Sequence, residues 1–340
     1  MCGEHHGDQG WTVPVCLACS HGASYLLDFA SPHELTLPFL MRATETRRGV
    51  AVPDPVCTVS VIVPTHNRAA TLRKNLDTVL AQEYGSYEAV YVDDGSMDDT
   101  PEILRDCAAE HRDRFRWVRT ACGAPGPARN AGVERARGEF LLFTDDDVTV
   151  PPVWITGMLG RYAVCGCSAL CGGVAPESLE TMAERYLHAR MQTRLGARPR
   201  RIRAAPMMNF LIPRAIFLEA GGFSKEPLEA AEDWEFCIRL RAAGHTIAYD
   251  PAVSVTHRYQ RDMAPAIERM RAAGSCGVRM QVMRGRPVAP YVAYSLLRSL
   301  TSPVWAPFRY PLSLYATAAR IEWIFGIARL KAYAEHLSSG

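Results

Sequence analysis

Several features that mark particular protein classes are scarce in this sequence of 340 residues. Lysine supplies only three of the 38 basic residues, and the formal net charge is +2. The charge balance therefore does not indicate a nucleic-acid-binding protein. No run of about 18 uncharged apolar residues predicts a membrane span. The longest candidate, residues 310–327, is interrupted by Arg320 and Glu322.

The first ten residues are polar, and no apolar segment of a secretory signal follows them directly. The eleven cysteines are scattered and odd in number. Together these observations favour a cytoplasmic protein with free thiols. The cysteines and histidines near the N-terminus could nevertheless bind zinc, and the alternative is that this extension is simply packed. Its candidate ligands are Cys2, His5, His6, Cys16, Cys19 and His21.

The chain divides into three segments by pattern. Residues 1–55 lack long periodicity and are interpreted as an N-terminal extension or small module. Residues 56–260 alternate between apolar runs, typical of buried strands, and segments with helical spacing. The predicted strands cover residues 59–63, 87–92, 115–119 and 139–143, with helices over 69–81, 98–109 and 127–136. This alternation predicts an α/β fold around a mostly parallel sheet. Residues 261–340 are predicted to be mainly helical.

Polar clusters follow three of the predicted strands, at residues 64–68, 93–96 and 145–147. In parallel sheets ligands bind beyond the carboxyl ends of the strands, so these clusters predict one binding site. Three consecutive aspartates suit a divalent cation bridged to phosphates, although a helix cap is the simpler alternative. A turn with Asx hydrogen bonds is the alternative for the second cluster. The sequence contains neither a P-loop motif nor a G-x-G-x-x-G after the first strand.

Two further regions have open interpretations. Residues 190–203 are rich in arginine and are predicted to form a loop that grips a phosphate, an acidic acceptor or a membrane, or that is simply solvated. The aromatic C-terminal region has three interpretations: it packs on the rest of the chain, it forms a dimer contact, or it lies in a bilayer interface.

Residues 246–249 and 252–256 are predicted to form two short strands.

Five short blocks carry a resemblance that spans about residues 57–260. The blocks are 59–68 (VSVIVPTHNR), 92–98 (VDDGSMD), 128–132 (ARNAG), 143–147 (FTDDD) and 232–235 (EDWE). In their order and spacing they resemble the family-2 glycosyltransferases. The resemblance implies a GT-A fold, which is Rossmann-like with a mostly parallel central sheet flanked by helices, here followed by a helical C-terminal region.

The resemblance also implies roles for individual residues. Those implied to bind the nucleotide part of the donor are Pro64, Thr65, Arg68, Asp93, Asp94, Arg129, Asp145 and Asp146. Asp147 is implied to ligate Mn²⁺ or Mg²⁺ under the diphosphate, and His257 is either a further ligand or a packed histidine. Asp233 is the implied general base, with Glu232 and Glu235 as competing candidates. Trp234 either lines the acceptor side or packs in the core.

These residues lead us to expect a metal-dependent, inverting glycosyltransferase. It would move a sugar from a nucleotide-diphosphate donor to an unidentified acceptor hydroxyl, using a carboxylate as general base. One alternative is a membrane-associated transferase with a polyprenyl phosphate acceptor, and another is a non-catalytic nucleotide-sugar-binding protein. We expect no nucleic-acid partner, and a location in the cytoplasm or peripherally at a membrane through the C-terminal helices. The sugar, the base, the acceptor and the oligomeric state are left open.

Overall fold

A computed structural model describes residues 57–226 and 228–338. The predicted N-terminal module and its candidate zinc ligands, which include Cys16, Cys19 and His21, lie outside the described residues.

Nine strands of the described residues form one sheet. The strands are β1 (Val59–Thr65), β2 (Tyr87–Asp94), β3 (Phe115–Thr120), β4 (Phe140–Phe143), β5 (Val148–Thr149), β6 (Ala169–Pro176), β7 (Arg200–Ile202), β8 (Phe210–Pro213) and β9 (Ile247–His257). Their order is β3-β2-β1-β4-β8-β6-β9-β5, and β7 also pairs with β9. Strands β3, β2, β1 and β4 run parallel, whereas β8 is antiparallel to β4.

Helices cover the sheet and make up the C-terminal region. They are α1 (Leu72–Leu80), α2 (Thr100–Glu110), α3 (Pro125–Arg135), α4 (Trp154–Cys165), α5 (Met182–Leu195), α6 (Arg214–Glu219), α7 (Glu232–Ala242), α8 (Met263–Met283), α9 (Val288–Leu300), α10 (Ser302–Trp305) and α11 (Tyr315–Ser338). Short 3₁₀ turns lie at Met207–Asn209 and Ala306–Phe308. The predicted α/β fold with a helical C-terminal region is confirmed.

The register of β1 sets the edge at which the site forms. Strand β1 is a continuous apolar run and is buried on both faces, as expected of a central parallel strand. Thr65 pairs with Asp93 of β2, and Ile62 pairs with Phe143 of β4. The carboxyl ends of the three strands therefore lie side by side, and each of the three polar clusters begins at one of these ends.

Two local predictions are wrong. Residues 190–203 are not one loop, because α5 extends to Leu195 and β7 begins at Arg200. A capping box starts α5: Thr181 accepts a hydrogen bond from the backbone of Glu184, whose side chain bonds back. The two short strands predicted after residue 245 are a single strand, β9, with an irregular register partway along.

The C-terminal helices pack against α5 through a cluster of their own. Tyr186 of α5 is fully buried and stacks on Tyr310, with 5.8 Å between the ring centroids. Ile321 and Phe325 of α11 join the same cluster. Part of the aromatic C-terminal region is therefore core. Among the helices of the described residues, none is both long and apolar enough to span a membrane.

Candidate active site

Arg68 joins the ends of β1 and β4. Its Nε lies 3.3 Å from Oδ1 of Asp146, and its Nη2 lies 3.8 Å from Oδ2 of Asp147. Thr65 is almost fully buried at the end of β1, and Pro64 before it is half-buried. A cleft of about 300 Å³ adjoins Asp146 and Asp147 and reaches the start of α1. The first and third polar clusters thus share one edge of the sheet.

The loop after β1 is fastened to the loop after β2. Asn67 has a φ of +52°, a left-handed conformation that asparagine tolerates better than most residues. Its backbone N–H donates to Oγ of Ser96, and its Oδ1 accepts from the N–H of Met97, both at 2.8 Å. The imidazole Nδ1 of His66 lies 2.7 Å from the carbonyl oxygen of Asp94. These bonds hold the second cluster against the first.

The two aspartates at the end of β2 differ in exposure. Asp93 is fully buried, accepts a hydrogen bond from the N–H of Ser96 at 2.9 Å and lies 3.5 Å from Nε of Arg119. Asp93 therefore stabilises the turn that follows β2. Asp94 is half-buried, and its Oδ1 accepts from Oγ1 of Thr120 at 3.0 Å. The nucleotide-binding roles of both stay predictions.

Asp147, directly before β5, meets His257 at the end of β9, because β5 pairs with β9. Nε2 of His257 lies 3.3 Å from Oδ1 of Asp147, and both side chains are largely buried. Burial alone would raise the pKa of Asp147, but the neighbouring side chains of His257 and Arg68 lower it. Burial and the charge of Asp147 raise the pKa of neighbouring Asp146. Of these two neighbours, Asp147 is therefore the carboxylate with the lower pKa.

The same pair fits one side of a divalent cation. Oδ1 of Asp147 is buried without a hydrogen-bond partner in the described residues, and Nε2 of His257 faces it at 3.3 Å. Carboxylate oxygen and imidazole nitrogen both bind Mn²⁺. No group of three or more His, Cys, Asp or Glu side chains arranged for a metal occurs in the described part of the chain. A cation here would draw its other ligands from water and from substrate phosphates, as Mg²⁺ often does.

Arg129 connects the sheet edge to helix α7. Its side chain is 4% exposed and lies between two carboxylates, 2.6 Å from Oδ1 of Asp145 and 2.8 Å from Oε1 of Glu232. The two charges stabilise the buried guanidinium, and their attraction outweighs the effect of burial on its pKa. Asp145 and the start of α7 are therefore held in a fixed relation.

The three candidate bases at the start of α7 differ in their hydrogen-bond and ion-pair partners. Ala231, just before the helix, has a φ of +72°, a strained conformation for alanine that is often found at functional sites. Glu232 is paired with Arg129, and Glu235 is paired with Arg239, whose Nη2 lies 2.8 Å from Oε2. Among the described residues, half-buried Asp233 accepts a hydrogen bond only from the N–H of Trp234. Of the three candidates, Asp233 is thus the one whose carboxylate is not held in an ion pair.

Trp234 is 39% exposed, so it is not a core residue. Its position directly after Asp233 is compatible with the predicted acceptor-side wall. Aromatic rings of this kind present an apolar face to a bound sugar or apolar group.

Asn130 is a positioning residue to which the sequence reasoning assigned no role. Its Oδ1 accepts from the N–H of Phe223 at 2.9 Å, and its Nδ2 donates to the carbonyl oxygen of Phe223 at 2.8 Å. This pair of bonds ties α3 to the loop that leads into α7. The ARNAG block contained the signal, because an asparagine facing inward from a helix needs partners for its amide.

Comparison with known proteins assigns part of this chain to a family. Residues 60–223 match the model described as Glycosyl transferase family 2. They form a family-2 glycosyltransferase domain. The match contains the residues of the three strand-end clusters and Arg129, and it ends before Asp233 and His257.

Two named relatives support this assignment. The pre-mycofactocin glycosyltransferase of Mycobacterium tuberculosis is 26% identical over 245 residues, which cover 69% of this chain and 50% of the relative. Glycosyltransferase AglE of Haloferax volcanii is 28% identical over 197 residues, covering 56% of this chain and 64% of AglE. In both cases the chain spans less than two thirds of the relative's length.

A solved structure supports the fold. The mannosyltransferase PcManGT from Pyrobaculum calidifontis, in complex with GDP-Man and Mn²⁺, superposes with a TM-score of 0.52 at 19% identity. The similarity covers 83% of this chain and 75% of that one. The predicted GT-A fold is confirmed, and it extends beyond the family-2 glycosyltransferase match at residue 223.

Proposed function

We propose that this chain is a metal-dependent, inverting glycosyltransferase that moves a sugar from a nucleotide-diphosphate donor to an acceptor hydroxyl. The observation that carries the proposal is that Arg129 connects the strand-end cluster to the start of α7. Arg129 forms one ion pair with Asp145 of that cluster and another with Glu232, which is next to Asp233. A donor bound at the sheet edge would therefore lie near a carboxylate able to activate an acceptor.

The donor side would be formed by the ends of β1, β2 and β4. Arg68 and the half-buried Asp94 stand where the nucleotide would bind, and Asp147 and His257 are the residues that would hold Mn²⁺ or Mg²⁺. When bound, the cation would neutralise negative charge that builds on the leaving diphosphate. The ligands of the Pyrobaculum mannosyltransferase, GDP-Man and Mn²⁺, are of the kind that we propose for this chain.

The acceptor side would depend on Asp233. Its carboxylate would take the proton of the acceptor hydroxyl as the acceptor oxygen forms a bond to the anomeric carbon of the sugar. The bond between that carbon and the diphosphate oxygen would break in the same step, which inverts the anomeric configuration. Glu232 and Glu235 are held in ion pairs with Arg129 and Arg239, so neither competes well for this role.

A donor screen tests the proposal. Purified protein is mixed with UDP-, GDP- and dTDP-sugars with and without Mn²⁺, and both thermal stability and release of the nucleoside diphosphate are measured. We expect one donor to raise the melting temperature in a Mn²⁺-dependent way and to be turned over slowly. Binding without turnover, even with a panel of acceptors, would instead support a non-catalytic nucleotide-sugar-binding protein. No stabilisation by any donor would contradict the proposal.

A further inference from the structure

Helix α9 leaves large apolar side chains exposed along its second half. Val288 and Val292 are buried near its start, but the buried residues further along are Ser295 and Ser299, while Tyr294, Leu297 and Leu300 are 64%, 59% and 59% exposed. The exposed apolar side chains continue beyond the helix with Val304 (71%), Phe308 (88%) and Leu312 (76%). Apolar side chains usually lie inside and polar ones outside, and contiguous exposed apolar patches mark interaction sites.

The buried polar groups show that this orientation is specified rather than loose. Oγ of Ser299 donates to the carbonyl oxygen of Glu322 in α11 at 2.7 Å, and Glu322 is paired with Arg298 at 3.2 Å. Oγ of Ser302 donates to the carbonyl oxygen of Ser299 at 2.7 Å. Because these groups are satisfied inside, rotating α9 to bury its leucines would leave buried polar atoms unpaired.

The stretch of chain that carries this surface is strongly basic. From residue 272 to residue 334 the sequence holds eight basic residues and a single acid, Glu322. That acid is 8% exposed and already paired with Arg298. The exposed basic residues of this stretch include Arg286, Arg309 and Arg320. Such a combination of apolar side chains with basic neighbours matches an anionic bilayer surface.

We propose that the α9 surface, formed by Tyr294, Leu297, Leu300, Val304, Phe308 and Leu312, docks on an anionic lipid bilayer. The 13 residues of α9 extend only ~20 Å, so the helix would lie in the interface rather than cross it. Arg309 lies 5.7 Å from the ring of Trp305, which places a cation beside an aromatic ring at the edge of the surface. A second copy of the chain is the less fitting occupant, because a twofold contact would bring the arginines of both copies together.

Vesicle flotation with the full chain tests this surface. The double variant Leu297→Glu, Phe308→Glu places two carboxylates in the α9 surface. The control, Val164→Glu, Leu218→Glu, makes the same change of charge at side chains that are 75% and 55% exposed on α4 and α6. All four substituted positions lie outside the proposed active site, so donor-induced thermal stabilisation checks that both variants are folded and is scored separately from lipid binding.

We expect the wild type and the control to float with vesicles of phosphatidylcholine and phosphatidylglycerol, and to float much less with phosphatidylcholine alone. The α9 double variant should bind the mixed vesicles about tenfold more weakly or worse, because two apolar side chains no longer enter the interface. Failure of the wild type to float would overturn the proposal. So would equal binding by the two double variants, or a dimer in solution that only the α9 double variant dissociates.

Discussion

Asp233 differs from its acidic neighbours at the residue scale, because they are held in ion pairs and it is not. We predict that Asp233→Asn retains the affinity for donor and metal but lowers the transfer rate by ~10²–10⁴-fold, the usual contribution of a general base. Donor titration and single-turnover transfer measure the two effects separately.

The matched control is Glu229→Gln, which removes an exposed carboxylate from the loop before the same helix. It should transfer at the wild-type rate. Transfer by Asp233→Asn at the control's rate would give the role of base to another group.

Arg129 is a second residue whose environment makes a quantitative prediction. Its removal leaves Asp145 and Glu232 facing one another without their cation. We expect Arg129→Gln to lower the free energy of unfolding by about 3–5 kcal/mol, as for other broken buried ion pairs. Urea unfolding measures the change. Arg135→Gln, on the exposed face of the last turn of α3, should change it by less than about 0.5 kcal/mol. Equal effects of the two variants would mean that the buried pair does not stabilise the site.

At the scale of elements, close packing of α3 on the sheet fixes where Arg129 and Asn130 point. A Cβ on Gly132 would lie 2.8 Å from Cγ2 of Ile62 and 2.9 Å from Cγ2 of Val92. We predict that Gly132→Ala destabilises the protein by about 1–3 kcal/mol through overpacking. It should also weaken donor binding, because α3 would shift from the sheet.

The control for this element is Gly160→Ala in α4, where a Cβ would meet nothing within 4 Å. There the higher helix propensity of alanine should raise the free energy of unfolding by up to about 1 kcal/mol. Thermal and urea unfolding of both variants show whether each substitution lowers or raises the free energy of unfolding. A stabilising effect of Gly132→Ala would show that α3 does not press on β1 and β2 as described.

The elements also show which parts of the fold a sequence predicts. Buried parallel strands such as β1 and β2 are short continuous apolar runs, so their positions follow from local pattern. Strand β9 does not, because Pro251 suggests a break. In the structure Asp250 pairs with Gly172 and Ser254 pairs with Gly173, so that residues 251–253 form an irregularity within one strand. The absence of a Cβ on the two glycines accommodates it, and only the pairing of distant strands reveals this.

At the scale of the whole molecule, the candidate site is partly predictable for the same reason. Parallel strands bring their carboxyl ends to one edge, so the meeting of Arg68 with Asp146 and Asp147 follows from strand order. The link from Asp145 through Arg129 to Glu232 does not, because it depends on how α3 and α7 pack. The α9 surface likewise depends on tertiary contacts, since helical periodicity alone does not say which face of a helix is buried.

The central claim is that Asp147 holds a cation beside the donor's diphosphate, and Mn²⁺-dependent donor turnover tests it most directly. The measurement is the release of nucleoside diphosphate over a titration of Mn²⁺. It compares the wild type, Asp147→Ala and the control Asp113→Ala, which removes an exposed aspartate that is not part of the candidate site. The account predicts that the wild type and Asp113→Ala respond to Mn²⁺ alike, while Asp147→Ala shows no response and little turnover. An unchanged Mn²⁺ titration in Asp147→Ala would contradict it.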